Sequence, residues 1–139
     1  MKKHLIALFA FAFSGACFAQ ANVEALTQQG GKKMSKEDLQ KLHEGGLRYT
    51  GLTPGGLQFS QQHKPDGSLS GSITNSRGTA SLEGKWTVDD EGRLCVDAVV
   101  PSLKANVKNC VHIWKQDEKY FSSVDASPGA LVAPKQFAK

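Results

Sequence analysis

From Leu47 onward, apolar residues recur at every second position, and clusters of glycine, proline, asparagine and aspartate interrupt them every 8–12 residues or about that. This double rhythm removes most of what a chain can fold into. A period of two buries one face of a strand, and turns this close together make antiparallel hairpins, with no room for crossover helices. Leu47 and Tyr49 alternate in LRYTG, Leu57 and Phe59 in GLQFSQQH, and Leu69, Gly71 and Ile73 in SLSGSIT. The longest run, TASLEGKWTV, sets Ala80, Leu82, Gly84, Trp86 and Val88 on one face and Ser81, Glu83, Lys85 and Thr87 on the other. RLCVDAVV, VKNCVHIWK and KYFSSV continue the series, with turns expected at TPGG, KPDG, NSRG, DDEG and QDE. The expected fold is all-β: a small antiparallel β-barrel, lipocalin-like, of about seven to eight strands. Gly71 and Gly84 occupy inward strand positions, where a sheet can bend enough to close on itself.

One short N-terminal helix is expected ahead of the strands. In SKEDLQKLHEGG, Ser35 is placed to cap the first turn, with Asp38 three residues on, and Gly45–Gly46 stop the helix. Its apolar face is Leu39 and Leu42, with Met34 as a staple, and a helix this short must lean on the β domain. The chain then divides into a signal peptide over 1–19, a flexible leader over 20–34, the β domain over 35–125 and a C-terminal tail over 126–139. The tail has two readings, as a cover for an open sheet edge or as a loose end.

The signal reading rests on Met1, Lys2 and Lys3, the apolar run LIALFAFAF and the small-residue stretch SGACFAQA. The run is too short for a bilayer, which needs about 20 residues of helix. Cleavage is expected after Ala19, with Ala21 the alternative, and the location is then periplasmic or secreted. A membrane attachment would require lipidation of Cys17, whose preceding Ser14 stands where such signals carry leucine. Loss of Lys2 and Lys3 lowers the formal charge of +4 by two. No basic stripe with interleaved aromatics remains, so nucleic acid is not an expected partner.

After such cleavage Cys95 and Cys110 are the two remaining cysteines, and in an oxidising compartment a disulfide is the expected state. They lie on consecutive strands and share outward faces with Arg93 and Asp97 and with Lys108, His112 and Trp114. The bridge should therefore sit outside the core, with Trp114 over it, and closing a loop of this length stabilises by about 3 kcal/mol. A metal site is not expected. The cysteines lack metal-motif spacing, His43, His63 and His112 are scattered, and DDEG lacks the alternating acids of a calcium loop. No serine sits in a nucleophile elbow, and apart from Tyr49 the inward face as read here carries no polar group. No enzyme activity and no cofactor are expected. Tyr49, Phe59 and Trp86 are the residues that would line a ligand cavity, if they do not simply fill the core.

With the strands laid out, GLRYTG, KPDGSLSG, GKWTVDDEGRLC and NCVHIWK follow one another in order. This order resembles the small exported proteobacterial proteins of the domain of unknown function 995, in which a Gly-x-Trp strand, a turn ending in Leu-Cys and a later Cys before Trp recur. The resemblance covers residues 35 to 125. It implies a small antiparallel β fold of the envelope and transfers no catalytic residue. The expected function is a non-enzymatic binding module acting on a protein or envelope partner, a class that includes inhibitors and immunity proteins. The alternative is a carrier of a small apolar ligand in the barrel interior.

Overall fold

The computed structural model describes residues 21–53 and 56–139; residues 1–19, read above as a signal peptide, and Cys17 among them lie outside the described residues. Helix α1 (Val23–Gln28) is followed by the short strand β1 (Lys32–Lys33) and helix α2 (Lys36–Leu42). Eight further strands follow among the described residues: β2 (Leu47–Leu52), β3 (Gln58–His63), β4 (Ser68–Asn75), β5 (Gly78–Val88), β6 (Arg93–Val100), β7 (Ala105–Gln116), β8 (Lys119–Ser123) and β9 (Ala133–Ala138), with a 3-10 turn at Pro101–Leu103 between β6 and β7. Each of these eight pairs antiparallel with the next, and β9 pairs back onto β2. The result is a closed eight-stranded up-and-down barrel, which leaves its staves no unpaired edge.

Closure depends on the two inward glycines. A Cβ on Gly71 would stand 2.1 Å from the Ser60 carbonyl oxygen, and one on Gly84 would stand 2.2 Å from that of Asp97. Neighbouring backbone crosses where a side chain would be, which is the tight bend a small barrel needs. Inside, Leu39, Tyr49, Phe59, Leu94 and Ile113 form one cluster, and Leu69, Leu82, Val96, Ala98 and Val100 form a second.

The two ends of the chain carry more structure than their composition suggests, and the tail takes the edge-covering of its two readings. The tail supplies the eighth stave, β9, whose alternation of Lys135 and Phe137 inward with Pro134 and Gln136 outward is masked in the sequence by two prolines. Residues 21–34 of the leader, expected to be flexible, form α1 and β1. Asn22 caps α1 by accepting from the Ala25 amide at 2.8 Å, and Val23 and Leu26 pack on Trp114 and Val132 outside the barrel wall. Backbone bonds from Val23 to Ala130 and from Glu24 to Pro128 tie leader to tail. Neither segment shows a core of its own, and each orders because the other, 100 residues or about that away, covers it. Strand β1 then continues the sheet beside β7 just past the point where β6 begins.

Candidate functional site

Helix α2 closes one end of the barrel. Ser35 and Asp38 form the expected capping box, and Gly46 turns the chain into β2. Leu39, with no exposed surface, enters the barrel among Tyr49, Phe59, Leu94 and Ile113. Both helix termini are held by charge. Lys36 pairs with Asp90 of the DDEG turn at 2.7 Å, and the Lys139 ammonium donates to the Leu42 and Glu44 carbonyls at 2.8 and 2.6 Å.

Beneath this lid lie two buried histidines, His43 at 2 % exposure and His63 at 0 %. His43 Nδ1 is 2.7 Å from the Leu39 carbonyl oxygen, His43 Nε2 is 3.0 Å from His63 Nδ1, and His63 Nε2 is 2.9 Å from the Gln61 side-chain amide. The imidazoles meet edge to edge in nearly one plane, with centroids 5.2 Å apart and planes inclined by 14°. Trp86 lies across both, 4.3 Å from His43 and 5.7 Å from His63 between centroids, and its indole N–H donates to the Lys64 carbonyl. Burial holds both histidines below their ordinary pKa. That of His63 falls to about 3, with the neighbouring His43 adding to the effect.

At the opposite end Lys135 points inward from β9, its stem lying across Gly51, where a Cβ would come within 2.6 Å. Its ammonium donates to the Leu52 carbonyl at 3.0 Å and sits 5.8 Å from the Phe59 ring centroid. Burial lowers its pKa to about 8.

Beside α2 an open groove runs between β1, the helix and the β7–β8 hairpin. Its base is Met34, Leu42 and Tyr120, and its sides carry Lys32, Lys33, Lys41, Lys115 and Lys139 against two acids, Asp38 and Asp117. Lys32 stands directly opposite Lys115 in the β1–β7 ladder. Like charges in that position destabilise a sheet, so the pairing opposes folding locally.

The residues singled out in the sequence are distributed as follows. Cys95 and Cys110 face each other in the β6–β7 ladder and are bonded, on the outer wall as parity requires. Asp89 Oδ2 lies 3.8 Å from Cys95 Sγ, but a disulfide presents no thiolate, so these three groups do not make a metal-ligand set. Trp114 lies under α1 instead of over the bridge and donates its indole N–H to Ser123 Oγ at 2.8 Å. Tyr49 and Phe59 are core residues with rings 5.0 Å apart, and Phe137 packs on Tyr49 at 4.8 Å. Trp86 belongs to the histidine pair.

The inward face is more polar than its sequence reading. Gln61 and His63 continue the Phe59 parity of β3, and Ser122 lies against Tyr49. His43 follows Leu39 by four residues, one helical turn, so the i, i+4 rule places it on the buried face of α2. Those signals were in the sequence; the meeting of the two histidines and the convergence of lysines from separate elements were not.

A family described as a protein of unknown function (DUF995) matches residues 10–128. No curated protein and no solved structure matches the chain.

Proposed function

The chain belongs to the DUF995 family, and on that premise we propose that it is an exported, non-enzymatic binding module of the cell envelope. Its partner presents an acidic protein segment to the lysine-sided groove beside α2. The observation that carries this reading is the opposition of Lys32 and Lys115 within a groove of five lysines and two aspartates. A local rule broken at a stability cost is found at functional sites, where a ligand supplies the missing countercharge. The apolar base of Met34, Leu42 and Tyr120 gives such a segment something to bury.

Export is supported by the Cys95–Cys110 bridge, which persists in oxidising compartments, and by the signal-like first residues. Among the described residues no helix is long and apolar enough to cross a membrane. Absence of catalysis is supported by the placement of the histidine pair, buried beneath α2 with Trp86 stacked across it. The carrier reading gains nothing from the interior, where Tyr49, Phe59 and Phe137 pack on one another.

The test is capture of envelope proteins by the immobilised protein, set against a Lys33→Glu/Lys115→Glu variant that leaves the core untouched. Capture that salt weakens and the variant abolishes supports the groove. Equal capture by both proteins overturns it.

A further inference from the structure

The proton count of the buried pair decides its behaviour. A carbonyl oxygen can only accept, so His43 Nδ1 carries the hydrogen that meets Leu39. In the neutral pair His43 Nε2 is then an acceptor, His63 Nδ1 donates to it, and His63 Nε2 accepts from the Gln61 NH2 group once the amide is turned over from the orientation shown, in which Oε1 lies 2.9 Å from His63 Nε2. All three bonds are satisfied. One added proton can be accommodated: His43 Nε2–H donates to His63 Nδ1, and His63 Nε2–H donates to Gln61 Oε1, the amide orientation that the structure shows. A second proton cannot, because two N–H groups and two positive charges then face each other across 3.0 Å.

The surroundings offer no compensation. Lys139 at the end of α2 is a cation and disfavours protonation of His43. Tyr49 from β2 stays a neutral phenol, because burial raises its pKa far above the physiological range. Gln61 from β3, Trp86 from β5 and Phe137 from β9 are uncharged, and no carboxylate among the described residues pairs with either imidazole.

We propose that the His43–His63 pair is a proton-operated latch on α2: taking up protons frees the helix from the barrel end and dismantles the groove that it walls. The link is positional. His43 ends α2, while Asp38, Lys41 and Leu42 of the same helix form one side of the groove. The latch concerns regulation of the groove and so rests on the binding reading, although helix release itself needs no partner.

The sign follows from linkage. Once α2 lifts, both rings are solvated and titrate near 6.5, whereas in the closed form His63 takes a proton at about 3. The open form therefore binds more protons between these values, and opening is favoured as pH falls below 6.5. From pH 7 to pH 5 the opening constant should rise about 25-fold from His63 alone, and further through His43.

The decisive measurement is native-state hydrogen exchange of the α2 amides in the oxidised protein, corrected for the intrinsic pH dependence of exchange. The latch requires α2 protection to fall at least about 25-fold from pH 7 to 5 while amides of β4 and β5 hold theirs. Protection in α2 that is independent of pH, or that falls only together with the strands, overturns it. A Gln61→Glu variant gives a second reading without emptying the core. A carboxylate beside His63 Nε2 lets the closed form keep a proton, so the acid-induced loss of α2 protection should shrink; an unchanged loss overturns the latch. Capture of envelope proteins by the immobilised protein at pH 7 and 5 separates the two proposals. Helix release without any capture at pH 7 sinks the groove and leaves the latch standing, whereas capture at pH 7 that persists at pH 5 sinks its control of the groove.

Discussion

The two ends of the barrel solve one problem by opposite means. Polar groups are buried at both. At the α2 end a separate element is inserted, apolar through Leu39, and the polar groups beneath it are neutral imidazoles bonded in a chain. At the other end no helix of the described residues enters: the stave β9 turns the Lys135 ammonium inward onto the Leu52 carbonyl, and the Leu52 and Leu103 side chains are left exposed. One end is closed by a part that can leave, the other by a side chain of the wall itself. Closure by an added part creates a place where stability can be local, and this is where the groove lies.

The largest test of this contrast removes the plug. Leu39→Ala should cost about 2–5 kcal/mol in chemical denaturation, because it opens a cavity among Tyr49, Phe59, Leu94 and Ile113. If the loss proves negligible, α2 is not packed as described. The bridge should act on both ends alike. A Cys95→Ala/Cys110→Ala variant loses about 3 kcal/mol, read as a lower denaturation midpoint with no change in which end exchanges first. A selective loss at the α2 end would tie the bridge to the latch.

At the other end Lys135→Met should stabilise the protein at pH 7 by about 1 kcal/mol, since an apolar chain of similar length replaces a buried cation. The pH signature is distinctive. The folded Lys135 gives up its proton at about 8 and the unfolded one near 10.5, so the unfolded chain binds more protons across that window. Stability of the parent should therefore rise as pH increases from 8 toward 10.5 relative to Lys135→Met, and parallel curves would show that the ammonium is solvated. The smallest effect is expected at Leu103→Ala, within about 0.5 kcal/mol, because that side chain is 63 % exposed. A large loss there would mean that the far end is covered by something.

Much of the barrel was legible because strand parity is local. Leu82, Leu94, Val96 and Ala98 face inward as their alternation requires, and Cys95 lies opposite Cys110 because both parities point outward on adjacent strands. The Ser35 capping box and the bend-permitting Gly71 and Gly84 are equally local signals. Reading a segment by its own composition took the ends less far. ANVEALTQQGG looked too polar to pack, and DASPGALVAPKQFAK, with two prolines, was readable either as an edge cover or as a loose end, yet each is ordered by the other and by the barrel wall. The candidate site was less legible than the fold. Tyr49, Phe59 and Trp86 were found as inward aromatics, but the polar parity of Gln61 and His63 on the same strand as Phe59 passed unread.

By itself the sequence determined the period, the faces, the turns and the staple, since each depends on residues a few positions apart or on adjacent strands. Only the tertiary structure decided that β9 closes the barrel on β2, that His43 meets His63, and that lysines from β1, α2, β7 and the chain end share one groove. Those outcomes join residues far apart in the chain. Such a contact forms when closing the whole sheet offsets the entropy of its long loop, and no local pattern carries that total.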